Sequence, residues 1–219
     1  MIEENIKQVL REISAGNNLG EKITLVAATK TVPAEIINRA VCAGIEVVAE
    51  NRVQEFREKT EFIVGARQDF IGRLQTNKVK YLVGKVDTIH SIDSVKLAQA
   101  VSAEAVKRGV TQKILLEINI GREASKGGFL PEEAKNAFSL ISALPSVQVC
   151  GLMAMLPKTE DAELQKRLFL QMRDIYDKMN DEGGNLSVLS MGMSADYKVA
   201  IKCGSNTIRL GSALFGKRN

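Results

Sequence analysis

Lys30 closes the apolar run ITLVAATK, and Pro33, three residues on, opens a helical pattern. A deprotonated lysine amine can attack a carbonyl, so a lysine at the end of a buried-looking strand is a candidate for covalent chemistry. Other polar residues stand at or just past the ends of short apolar runs: Asn51 in VVAEN, Asn119 in KILLEIN and Arg209 in NTIRLG. Two loops near the end of the chain, SMGMSAD and RLGSALFGK, add Gly192, Ser194, Gly211 and Ser212. Glycine lets a backbone approach an anion closely, while serine hydroxyls and first-turn N–H groups donate hydrogen bonds to it. Each residue also has a plainer explanation. A strand-end polar group can pair with a charge at the rim, and a serine can simply start a helix.

The elements that would carry these residues alternate. Apolar runs at 23–29, 46–50, 69–72, 88–92, 113–119, 147–155, 186–190 and 206–211 read as strands. Helical patterns lie between them, near 33–43, 51–64, 78–84, 93–108, 131–143, 160–180 and 195–203. The clearest places Leu164, Leu168, Met172, Ile175 and Met179 on one face. Pro33 and Pro131 sit where first-turn prolines belong. Eight strands joined by helical crossovers pair in parallel, so the expected fold is α/β, a single-domain (β/α)8 TIM barrel. Residues 1–219 form that one domain, and 2–14, with Ile2, Ile6, Val9, Leu10 and Ile13 as a stripe, add an extra N-terminal helix. An open doubly wound sheet is the rival, but no GxGxxG follows the first strand.

In such a barrel helices cover the outer strand face, so polar strand residues point inward, toward the active site when near a C-terminal end. Side chains alternate along a strand. Ile114, Leu116 and Ile118 should face the helices, and Leu115, Glu117 and Asn119 the interior. Likewise Ile208 and Leu210 face out while Thr207 and Arg209 face in, and Lys30 shares the inner face with Val26 and small Ala28. Lys30, Asn51, Asn119 and Arg209 would then converge at one mouth.

Composition narrows the function. Thirty Lys and Arg against 26 Asp and Glu give a net charge of +4, without the basic–aromatic interleaving of a nucleic-acid groove. No apolar run is long enough to span a bilayer. The acidic start MIEENIKQVLREI is not a signal peptide. Cys42, Cys150 and Cys203 form no CxxC and read as reduced core residues of a cytoplasmic chain with no metal site. A monomer is expected, binding neither nucleic acid nor membrane.

Barrels frequently bind phosphate with the loops after strands seven and eight. Phosphate on one side and a strand-end lysine on the other suit pyridoxal 5'-phosphate (PLP), which has an aldehyde and, across its ring, a phosphate. A cofactor-free phosphate-binding barrel isomerase is a competing possibility.

The stretches VAATKTVPAEII, AENRVQEF, FIGRLQTNK, IHSID, LEINIGREASKGGF, GLMAM, LSMGMSADY and IRLGSALFG occur in that order. On them the chain resembles the YggS-like PLP-binding proteins, the PLP homeostasis family, which are similar to the N-terminal barrel of alanine racemase. The resemblance implies that Lys30 holds PLP covalently as a Schiff base and that Asn51 lines the pocket. It further implies that Ser194 and the Gly211–Ser212 pair contact the phosphate and that Arg209 lies near the pyridine nitrogen. Arginine has no acceptor and would keep that nitrogen unprotonated, which weakens the ring as an electron sink. The chain departs from the family pattern at Ala49, Arg73 and Ala195.

Alanine racemase adds a second domain and a partner tyrosine; this chain, reaching Asn219 just after strand eight and its helix, is expected to lack both. Tyr81 and Tyr176 read as packing residues, as does Tyr197 at a helix start, and His90 as a structural residue at the end of strand four. Lys126, beside Gly127 and Gly128, reads as a solvated lysine on an exposed turn, and Thr76 or Asn77 as a helix cap. The resemblance therefore implies no catalytic residue and a non-enzymatic role in vitamin B6 homeostasis, with PLP-dependent apo-enzymes as recipients. A racemase-like PLP enzyme is the alternative.

Overall fold

The computed structural model describes residues 2–216. Eight parallel strands close into a barrel in sequence order. They are β1 (Thr24–Ala28), β2 (Val47–Glu50), β3 (Arg67–Phe70), β4 (Thr88–Ile92), β5 (Gln112–Ile118), β6 (Val147–Ala154), β7 (Val188–Ser190) and β8 (Thr207–Leu210). The helices are α1 (Ile2–Ile13), α2 (Ala34–Cys42), α3 (Val53–Lys59), α4 (Val95–Arg108), α5 (Ala134–Ser142), α6 (Ala162–Asp181), α7 (Tyr197–Lys202) and α8 (Ser212–Phe215). The expected (β/α)8 architecture and its additional first helix are both present. None of these helices is long and apolar enough to cross a membrane.

Three details differ from the sequence expectation. β3 begins two residues early, at Arg67, because backbone pairing to Val47 and Val48 carries the ladder past the apolar run. A 3-10 helix spans Thr76–Tyr81 where an α-helix was expected near 78–84, and no side chain caps it. Its crossover is short, and Val79 reaches the core from that tighter coil while Leu82 and Val83 reach it from the turn that follows. The three cysteines are free, but only Cys203 is buried, and Cys42 is exposed on α2.

The strand faces sort as their alternation requires. Ile114, Leu116 and Ile118 join the core between barrel and helices, and Ile208 and Leu210 join its counterpart near β1. Inside, Val26, Val47 and Ala49 form a separate small cluster with Ile71 against it. That dry layer lies beneath the C-terminal mouth. α1 buries Ile6, Val9 and Ile13 and packs against α8 and α2, closing the seam where β1 meets β8.

Candidate functional site

The C-terminal ends of the strands frame a pocket of about 650 Å³. Lys30, Asn51, Ser194, Arg209, Gly211 and Ser212, drawn from the two ends of the chain, all line it. Asn119 does not join them. Its side chain turns back on its own loop, donating to the Glu123 carbonyl at 2.9 Å and accepting from the Glu123 N–H at 3.0 Å.

Lys30 follows β1 on an exposed turn, and its amine has no hydrogen bond or ion pair among the described residues. The next residue, Thr31, has φ of 60°, a left-handed conformation that a β-branched side chain resists. A polar network outside the barrel wall holds this turn. Thr29 Oγ1 donates to Glu50 Oε1 at 2.7 Å, and Lys59 Nζ binds Glu50 at 3.0 Å and Glu55 at 2.8 Å. Glu55 in turn accepts from the Thr31 N–H at 2.5 Å. Glu50 is buried on the helix-covered face, where apolar residues were expected. Burial pushes its carboxyl up, opposed by Thr29 and Lys59. Neither the strand pattern nor the separation of Glu50 from Lys59 gave a signal for this network.

The loops after β7 and β8 lie beside the Lys30 turn, since β8 pairs with β1, and not across the barrel from it. There Ser194 Oγ accepts from the N–H groups of Gly211 at 3.2 Å and Ala213 at 3.1 Å. The loop before α7 thus ties itself to the start of α8. Asp196, raised by burial, fixes the same loop by accepting from the Met193 N–H at 2.6 Å. Gly192 has φ of 99°, and a Cβ there would lie 2.7 Å from Ala200 Cβ. Close packing on α7, more than an approaching anion, requires this glycine. Gly211, with φ of −118°, contributes its N–H without needing glycine's freedom. Lys217, in the quoted RLGSALFGK, lies outside the described residues.

Arg209 forms the inner wall. It is 4 % exposed, and its guanidinium donates to the Ser190 carbonyl and to the Ala154 carbonyl, each at 2.9 Å. Burial pulls it down to about 10, with Glu117 and Asp196 opposing. Glu117 is itself raised by burial and by Asp93.

Several smaller expectations resolve here. Tyr197 packs at the start of α7, and its hydroxyl also donates to Glu12 at 2.6 Å. Lys126 is tethered, pairing with Glu123 and donating to the Leu156 carbonyl at 3.3 Å. His90 sits mid-strand and has buried partners on β3 and β7. Beside the pocket a second hollow of about 880 Å³ shares Asn51 and Arg73 with it and bears Arg52, Arg57, Lys78 and Lys96. These cations are scattered through the sequence, which hides the hollow from a sequence reading.

The family model for the alanine racemase N-terminal domain matches residues 2–219. A pyridoxal phosphate homeostasis protein from Aquifex aeolicus is 42 % identical over 218 residues, covering 98 % of this chain and 94 % of that protein. The chain belongs to the pyridoxal phosphate homeostasis protein family. Its Escherichia coli relative of the same name is 32 % identical over 227 residues, with 100 % and 97 % covered. The family's fold agrees as well. PipY of Synechococcus elongatus, solved with PLP bound, superposes with a TM-score of 0.87 at 30 % identity, covering 99 % of this chain and 100 % of PipY. Alanine racemase of Clostridium difficile superposes at 0.80 with 17 % identity, covering 98 % of this chain but 55 % of the racemase, and shares the barrel.

Proposed function

We propose that this family member, with residues 1–219 as one domain, binds PLP covalently through Lys30 and serves intracellular vitamin B6 homeostasis as a holder of the cofactor. The observation that carries this reading is the meeting of a lysine amine, unpaired among the described residues, with Ser194, Gly211 and Ser212 in one pocket. The name shared by its relatives and the PLP-bound PipY structure support it.

The residues fit the group in three respects. The pocket has room for a substituted pyridine ring and its phosphate. Asn51 Oδ1 is buried without a partner among the described residues. Ser194, Gly211 and Ser212 bring hydroxyl and amide groups to the pocket from the loops after β7 and β8, β8 being the neighbour of β1. When bound, PLP supplies an aldehyde that condenses with amines and a phosphate that anchors it. Lys30 provides the amine. The Ser194 and Ser212 hydroxyls would hold the phosphate, with the Gly211 N–H, otherwise donated to Ser194 Oγ, turning to it; Asn51 would line the ring, and Arg209 would donate toward the ring nitrogen. Arg209 keeps that nitrogen an acceptor, which disfavours carbanion chemistry.

Among the described residues the titratable groups lining the pocket are Lys30, Arg73 and Arg209, and this supports holding over turnover. Racemisation needs a second acid–base group facing Lys30. The protein is read as a cytoplasmic monomer that passes PLP to apo-enzymes and binds neither membrane nor nucleic acid.

Borohydride reduction of the PLP-loaded protein, followed by peptide mass mapping, should place the added mass on Lys30, and Lys30→Ala should lose both the mass and the visible absorption. Label on another lysine would overturn the assignment. Loss of optical activity from single-enantiomer amino acids at catalytic rates would overturn the non-enzymatic role.

A further inference from the structure

Arg209 is one end of a side-chain relay across the barrel interior. Its Nη1 donates to Ser190 Oγ at 2.7 Å. Ser190 Oγ lies 3.3 Å from His90 Nδ1, and His90 Nε2 lies 3.1 Å from Asp69 Oδ2. Asp69, His90 and Ser190 come from β3, β4 and β7, and each is at most 1 % exposed. Beyond Asp69, Arg67 reaches the same carboxylate oxygen at 3.2 Å from a partly exposed position.

The inventory of donors fixes the direction of the relay. Arginine can only donate, so Ser190 Oγ accepts from Arg209. A carboxylate can only accept, so His90 Nε2 carries the hydrogen that faces Asp69. Burial pulls His90 down, with Asp69 opposing, and favours the neutral ring. Nδ1 is then the acceptor and takes the Ser190 hydroxyl proton. Every link points from cation to carboxylate.

Packing alone does not call for such a relay. The neighbouring interior layer is filled by Val26, Val47 and Ala49, and an apolar filling avoids the desolvation of buried charge. We propose that Asp69, His90 and Ser190 are positioning residues that hold the Arg209 guanidinium in one donor geometry toward the ring nitrogen of the bound pyridine. This rests on the reading of the pocket as a PLP site. The relay leaves Arg209 little freedom to rotate away: two carbonyls and the Ser190 hydroxyl hold three of its five N–H hydrogens, and the Nε hydrogen and one on Nη2 are left to donate.

His90 is the only histidine, so an imidazole ¹⁵N spectrum reports on this one residue. In ligand-free protein it should show a neutral ring protonated at Nε2, and the Nδ1 signal should move on PLP addition. A ring protonated at Nδ1, or charged, or silent to PLP, overturns the relay. Ser190→Ala should weaken PLP binding about tenfold and displace the visible band, and Ser190→Thr should restore both. A lowered Tm with affinity and band unchanged would mean a purely structural role and would overturn the proposal. Should Ser190→Ala not fold, Asp69→Asn reads the same relay, and an unmoved band there overturns it equally. Failure of the wild-type protein to take up PLP is a separate outcome that brings down the functional reading, and this proposal with it.

Discussion

The two walls of the pocket are held in opposite ways. The Lys30 turn is braced from outside the barrel by Glu50, Lys59 and Glu55, and it leaves its amine exposed and, among the described residues, unpaired. Arg209 is braced from inside by Ser190, His90 and Asp69, and three of its five guanidinium hydrogens are committed. On the proposed reading the difference fits the two roles: an amine that would form and release a bond needs access, whereas a guanidinium that would set the electronics of a ring needs a fixed aim. The cost falls differently too. The first wall stores strain at Thr31, and the second desolvates a cation.

Breaking the inner wall should cost most. Arg209→Ala leaves Ser190 Oγ and two buried carbonyls without their donor and Glu117 with only Arg73 and Lys126 as nearby cations. A loss of about 3 kcal/mol or more is expected in urea denaturation. Lys59→Met attacks the outer wall. It leaves Glu50 buried without its cation and should cost about 2 kcal/mol, with slower PLP loading as the Lys30 turn loosens. A loss at Lys59 as large as that at Arg209 would erase the distinction between the walls.

Glu50 also gives the outer wall a pH signature. Its folded carboxyl is raised above the ordinary glutamate value of 4.5, so the folded protein binds that proton more tightly than the unfolded chain. The stability it contributes is complete below that value and is lost as pH rises through the raised one. Glu50→Gln should flatten that decline in denaturation curves taken across the acid range. Asp196 and Glu117 are raised in the same sense and should leave a residual slope.

The smallest effect lies away from both walls. Glu12 is lowered to about 2, chiefly by the Tyr197 hydroxyl and then by Lys198. Its contribution is present above 4.5 and disappears as pH falls toward 2. Because Glu12 faces solvent, Tyr197→Phe should cost under about 1 kcal/mol and leave PLP uptake unchanged.

The barrel was legible because its strands are short apolar runs at regular spacing and helices alternate with them. Inner and outer faces followed from strand alternation, which placed Lys30 and Arg209 correctly. Asn119 obeyed the same alternation but lies beyond the last rung of β5, where its loop recaptured it. The braces behind the walls were not legible. Glu50 breaks the rule of an apolar outer face, and His90 looked unpartnered because Asp69 and Ser190 are brought to it only when the barrel closes. Pairing across a barrel leaves no local spacing to read.

The seam between β1 and β8 has a consequence for synthesis. Lys30 follows the first strand of the barrel, whereas Ser194 and Arg209 come with β7 and β8. On the reading of the pocket as a PLP site, capture therefore waits until β8 has closed against β1, and a chain cut short before β8 would carry the nucleophile but not the berth.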